Sequence, residues 1–520
     1  MDFLLLTAPT QHAALDSAVE RNPRRLRQWL FDLPIMNVAE TVRQLDGRIR
    51  PFNEMAMPSD ERLKLLEVLH EAFDEILFSY DDLRLSMLPV TPDERRALAQ
   101  DIMWLYLQLA AGYKIIVRQH FDAAGRGIRD AVLVTALFRA MELLAHALLY
   151  AFRAHETPPP LTWLEFHQLY RYAHARNLHR QRLRQIRGYA TVPTVERLYV
   201  QTLLLGVADP YHMSGQAVFE NYLLLDAVCE AASLGPLDDC PAERPDYRFV
   251  FDEDAPPKPC AFAEPAPEGA EGGTLDVTGV VARLQRMAEE SQGHDALLMK
   301  DLAARLGRPR ERREARQAAD RTIHLTTGLD SIRHFLERPE RITSALEAEV
   351  HDGIAVRDLD SADAADCNLF ACAVRNISAR GYLLACPAEG VPAGLVVGDL
   401  VGVVDPAREP KTKAPLRMGL VRWVKQAAEA DLHLGVELID GPARPVRLHP
   451  LDGSHPTVDG FHFALDREAG HPARLLIPAT VPEGEIRLHV QIAGQSHVVR
   501  PRRILLGTER WRLVTFSLPP

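Results

Sequence analysis

The chain has 520 residues, enough for two or three domains. Its 47% apolar and 25% charged content are ordinary globular values, so each domain can bury a core. A net charge of −11 and a pI near 6.0 exclude a protein that coats nucleic acid through its overall field, and no nucleic-acid polymer is expected as a partner. The six cysteines form no C-x-x-C pair and no zinc pattern, so they are expected to be small buried apolar residues in a reducing cytoplasm. The opening MDFLLLTAPTQHAALD lacks a basic segment, and its apolar run is too short for a signal peptide.

Residues 1–240 read as an all-α domain. Asn37 is a candidate cap for a helix through Ile49, and Ser59 for the next, whose Leu65, Leu66, Leu69, Phe73, Ile76 and Leu77 keep helical spacing. Thr91-Pro92-Asp93-Glu94 is a start signal for a long helix towards His120. Further helices are expected near 127–154, 161–176, 194–207 and 214–232, packed as a bundle or a superhelical array. The apolar stretch 131–152 contains Arg139, Glu142 and His146, so it reads as a buried helix and not a membrane span. His167, His174 and His179 read as partly exposed helix histidines and not as a metal site. The basic run from Arg171 to Arg187 reads as a solvated face.

Residues 241–273 are rich in proline, acid and glycine and are expected to form a flexible linker, with 247–251 as a short strand or tail. A helical connector follows at 274–306, with helices at 276–290 and 295–306. It leads into the arginine run Arg308, Arg310, Arg312, Arg313, Arg316, Arg321. Beyond it, strands are expected at 322–327, 369–374, 381–385, 400–404, 418–424 and 432–438, as in a small barrel or sandwich.

Arg312-x-x-x-Arg316, followed by Asn376-Ile377-Ser378-Ala379-Arg380-Gly381, resembles the signature of PilZ domains, bacterial receptors for cyclic di-GMP. Gly398-Asp399-Leu400, Gly419 to Trp423 and Leu434 to Leu438 stand in the order of a PilZ barrel. The resemblance implies a PilZ-like β-barrel over 307–450 that binds cyclic di-GMP through Arg312, Arg313, Arg316, Asn376, Ser378 and Gly381, with no cofactor and no metal. The register Arg308-x-x-x-Arg312 fits the same pattern. An arginine adjacent to the pair favours a stacked nucleotide dimer in this family. The chemistry suits the ligand: guanidinium forks match phosphate oxygens and the guanine edge, asparagine both donates and accepts, and serine offers a compact hydroxyl. Glycine permits a tight backbone turn.

Sixty positions separate Arg316 from Asn376, longer than in a minimal PilZ domain. The excess is expected between Ile332 and Asp366, with a short helix at 331–337 and an acidic loop at 358–366. Ala111 to Ile115, Trp163 to Tyr170 and Ala208 to Tyr211 resemble the helical region of long PilZ proteins associated with surface attachment and type IV pili. That resemblance implies a protein partner for the helical domain.

Residues 451–520 are expected as a C-terminal β module, either a second barrel or strands completing the first, with strands at 474–478, 485–492 and 511–518. The fold class is therefore multidomain α plus β. No Walker A loop, nucleophile elbow, H-E-x-x-H or dinucleotide fingerprint occurs, so an enzyme is not expected. The alternative to a receptor is a degenerate PilZ scaffold that binds partners without nucleotide.

Overall fold

The structure is a computed structural model. It describes residues 4–12, 19–79, 92–125, 127–186, 189, 191–238, 240, 246–262, 266–307, 317–342, 369–378, 380–387, 395–406, 416–426, 431–451, 456–465, 470, 472–481, 487–492, 494–508 and 510–517. The chain divides into two compact units, Met1–Glu311 and Arg312–Pro520.

The first unit is built on helices α1 (Pro23–Phe31), α2 (Val38–Glu54), α3 (Ser59–Ser79), α4 (Pro92–Asp122), α5 (Asp130–Arg153), α6 (Thr162–Ala175), α7 (Val195–Val207) and α8 (Gly215–Val228). Every residue of α5 from Val132 to Arg153 is buried except Arg139. A helix apolar on all sides belongs at the centre of a bundle, and α5 packs against α3, α4, α6, α7 and α8. Among the described residues α5 alone is long and apolar enough to cross a membrane, and its apolar window is enclosed by this core.

Polar residues inside the bundle are paired. Arg139 Nη1 donates to Glu142 at 2.7 Å, and His70 Nε2 lies 2.8 Å from the same carboxylate. Burial pushes the Glu142 carboxyl up, but His70 and Arg139 outweigh it and hold the group well below the carboxylate range. Lys114 Nζ donates to Glu165 at 2.6 Å, with both side chains almost fully enclosed.

Asn37 caps α2 as expected, accepting from the Glu40 amide at 3.2 Å. Ser59 differs: it is the first residue of α3, and its hydroxyl donates to Gln119 instead. Thr91 lies outside the described residues.

The stretch 241–273 is not simply a flexible linker. Strands β1 (Ser233–Pro236), β2 (Asp246–Val250), β3 (Lys258–Pro259) and β4 (Gly272–Asp276) form a sheet in the order β1-β4-β2-β3. Phe249 and Tyr247 face the helical core, and a Cys240–Cys260 disulfide closes the intervening loop. Tyr247 and Phe249 alternate, in keeping with the short strand expected at 247–251, but its proline-rich and acidic flanks hide the rest of the sheet. Helices α9 (Thr278–Glu290) and α10 (Gly293–Gly307) bury Val280, Leu284, Leu302 and Leu306 in the same core.

The second unit holds two closed six-stranded barrels. The first comprises β5 (Gln317–Thr327), β6 (Phe370–Ser378), β7 (Gly381–Pro387), β8 (Leu400–Val404), β9 (Leu416–Gln426) and β10 (Asp431–Leu438), in the order β10-β7-β6-β5-β8-β9. The second is a complete barrel of its own: β11 (Ala443–Pro450), β12 (Val458–Phe463), β13 (Arg474–Pro478), β14 (Leu488–Ile492), β15 (Gln495–Gly507) and β16 (Trp511–Ser517). It starts at Ala443, so the expected division at 450/451 falls one strand too late. Gly441 at positive φ turns the chain from one barrel into the next.

Strand β8 is buried on both faces. Val401 and Val403 fill the first barrel, while Leu400 and Val404 join Phe461, Phe463, Trp511 and Leu513 of the second. The short helix expected at 331–337 is α11 (Leu329–Glu337), and its Ile332 and Phe335 enter this layer between the barrels. The expected acidic loop at 358–366 lies outside the described residues.

The expectation of unpaired cysteines fails. Cys372 and Cys386 form a disulfide inside the first barrel, brought face to face by the pairing of neighbouring Ala373 with Ala385. Cys229 is free and buried, and Cys367 lies outside the described residues.

Candidate functional site

The Asn-x-Ser-x-x-Gly motif occupies the end of β6, its turn and the start of β7. Val374 and Ile377 both face the barrel interior although they are three residues apart, which strict alternation forbids. A β-bulge resolves this: Val374 pairs with Leu384 and Asn376 with Leu383, leaving Arg375 as the extra residue. The bulge turns Asn376 and Ser378 together onto the outer wall.

Strand β5 brings the preceding chain to the same place. Gln317 stands opposite Ile377 and Ala318 opposite Asn376. Arg316 is the residue immediately before Gln317. Arg312, Arg313 and Arg316 lie outside the described residues, as do Arg308 and Arg310. The structure thus brings Asn376, Ser378 and the start of β5 together.

Ser378 pairs with Gly381 across the hairpin, and the Arg380 amide donates to the Ser378 hydroxyl at 3.3 Å. Gly381 answers to strand packing rather than to a turn that needs positive φ. A Cβ there would sit 2.1 Å from the Val436 carbonyl oxygen of β10. Only glycine lets β7 and β10 approach so closely.

One lateral row of the outer wall continues from Asn376. Leu383 pairs with Asn376 on one side and Gly435 on the other, and Gly435 pairs with Trp423. The Trp423 indole lies over Gly435, where a Cβ would come within 2.0 Å of its Nε1. Three strand spacings of about 4.8 Å separate Asn376 from Trp423, on the order of 14 Å. The sequence contains both residues, but their common row depends on register and on the bulge.

Arg321, the last arginine of the run, has a different place. Its Nη2 donates to Asp405 at 2.5 Å, and the Tyr382 hydroxyl donates to the same oxygen at 2.8 Å. Asp405 is almost fully enclosed, so this ion pair ties β5 to the end of β8.

The other sequence candidates are structural. His167 is fully buried, not partly exposed. Its Nε2 donates to the Ala255 carbonyl at 3.0 Å, and its Nδ1 accepts from the Tyr199 hydroxyl at 2.7 Å. Burial pushes its pKa down to about 4. Among the described residues no three side chains are grouped to hold a metal ion. Arg171 borders an open cleft of about 470 Å³ and is engaged by Glu271 at 3.1 Å and Asp252 at 3.4 Å, so the basic run is partly neutralised.

Comparison with known proteins agrees with this architecture. Residues 24–239 match the family model described as cyclic-di-GMP receptor FimW, N-terminal domain, and residues 344–445 match that of its middle PilZ domain. The second match includes Asn376, Ser378, Gly381 and Trp423 but begins after the arginine run. The chain is also 26% identical to the cyclic-di-GMP receptor FimW of Pseudomonas aeruginosa. That alignment of 584 positions covers 99% of this chain and 92% of the relative. The two family models together span more than half of the residues, and the chain belongs to the FimW family of PilZ proteins.

Proposed function

We propose that this protein is a cyclic di-GMP receptor whose nucleotide lies on the outer wall of the first barrel. One observation carries the reading. The register that sets Gln317 opposite Ile377 puts the start of β5, the residue after Arg316 in sequence, at the strand end bearing Asn376 and Ser378. Arg312, Arg313 and Arg316 supply guanidinium forks for phosphate oxygens and guanine edges. Asn376 reads a guanine edge, Ser378 donates a hydroxyl hydrogen bond, and the Trp423 face receives a base. Gly381 holds the hairpin closed against β10. The relative's description as a cyclic-di-GMP receptor supports this ligand.

The protein acts as a receptor and not as a catalyst. Nucleotide binding changes the contacts of the helical domain with a protein partner, in the cytoplasm, in surface attachment or pilus-dependent motility. Such coupling requires different nucleotide affinity in two states. Displacement of a fluorescent cyclic di-GMP derivative tests the wall. Asn376→Ala and Trp423→Ala should each weaken binding about tenfold or more, as expected for one lost polar or stacking contact. Unchanged affinity in both variants would move the ligand off this wall.

A further inference from the structure

We propose that the tip formed by α1 and the turn after it docks on an anionic lipid surface. The patch lies in the helical unit and is independent of the nucleotide site.

Helix α1 is amphipathic in an unusual sense. Leu26 and Leu30 bury one face in the bundle, while Arg24, Arg25, Arg27 and Phe31 are exposed. The chain then turns sharply. Leu33 is buried, the Ile35 amide donates to the Leu33 carbonyl at 2.9 Å, and Thr41 Oγ1 donates to the Pro34 carbonyl at 2.8 Å. These contacts pin the turn and project its apolar side chains outward. Phe31 is 85% exposed, Met36 91% and Ile35 52%. Three large exposed apolar side chains within six residues are a costly surface unless something covers them.

The charge pattern identifies the cover. Asp32 is the one acidic residue between Pro23 and Asn37, against three arginines, in a chain of net charge −11. Among the described residues no carboxylate forms an ion pair with Arg24, Arg25 or Arg27. Arg24 and Phe31 are seven residues apart, about 10 Å along the helix. That matches the depth over which interfacial elements place cations among phosphates and apolar tips beneath them.

Flotation with vesicles of equal phosphatidylglycerol and phosphatidylcholine tests the proposal on the full chain. The protein should float with these vesicles, remain in solution with phosphatidylcholine alone, and release in high salt. Arg24→Glu/Arg25→Glu/Arg27→Glu should lower partitioning on the order of a hundredfold, since each arginine near such a surface is worth roughly fivefold. Phe31→Ser/Met36→Ser should lower it about tenfold or more through lost apolar insertion. All five side chains are exposed, so thermal melting should be unchanged in both variants. No flotation with the anionic vesicles would overturn the proposal, as would flotation indifferent to both sets of substitutions. Equal flotation with the neutral vesicles would also overturn it.

Discussion

Gln317 stands directly opposite Ile377 in the β5–β6 ladder, so the start of β5, which follows Arg316 in sequence, lies beside the strand end that carries Asn376 and Ser378. The start of β5 and the Asn376–Ser378 strand end thereby share one end of one barrel. The long connection between them includes α11, which packs between the barrels and leaves the register intact. Inserted chain costs little closure entropy when its ends are held by a sheet.

Gly381 separates a structural role from a ligand role. In Gly381→Ala the new methyl would meet the Val436 carbonyl at 2.1 Å, and the obstacle is backbone. The variant should lose about 3 kcal/mol of stability, in the range of an overpacked core site. Thermal melting without nucleotide checks this. A variant as stable as the parent would show that β7 and β10 are not so closely apposed.

Much of the architecture was legible in the sequence. Apolar spacing and cap signals located the helices of the first unit from α2 onward, α1 was not anticipated, and short glycine-punctuated runs located β6 to β10. The bulge at Arg375 was hidden, because alternation alone runs Val374 and Asn376 onto the same face. Trp423 went unselected because its row with Asn376 exists only through three strand pairings. The sheet around Tyr247 and Phe249 was obscured by its proline-rich and acidic flanks. The start of the second barrel at Ala443 was missed because strands continue on both sides of Gly441 with no change in composition.

Lys114 and Glu165 join two segments whose wording resembled the helical region of long PilZ proteins. Their ion pair is 2.6 Å long and buried, and the Thr7 hydroxyl also donates to Glu165 at 2.6 Å. Lys114→Met should cost about 3–5 kcal/mol, because it strands a buried carboxylate. Lys114→Met/Glu165→Leu should recover most of that loss. Chemical denaturation of the helical unit's signal would reveal the recovery, and strict additivity of the two single losses would contradict the coupling.

His167 predicts a pH dependence. Its folded pKa of about 4 lies below the ordinary histidine value of 6.5. The folded state therefore holds fewer protons than the unfolded state between those values, and stability rises with pH across that window. The neutral form's advantage is fully present above about 6.5. It declines as pH falls towards 4, by about 3 kcal/mol in all. His167→Phe should be less stable at neutral pH because the Tyr199 and Ala255 partners are stranded, yet it should show a shallower loss between pH 6.5 and 4. Equal slopes for parent and variant would contradict this assignment.

The central claim is that the arginine run and the Asn376–Ser378 strand end form one nucleotide site. Calorimetric titration of cyclic di-GMP into the full chain, beside Arg312→Ala/Arg316→Ala, tests it most directly. Saturable binding at micromolar or tighter affinity, abolished in the double variant, is the predicted result. Absence of binding by the parent chain would contradict the account and leave a nucleotide-independent scaffold in its place.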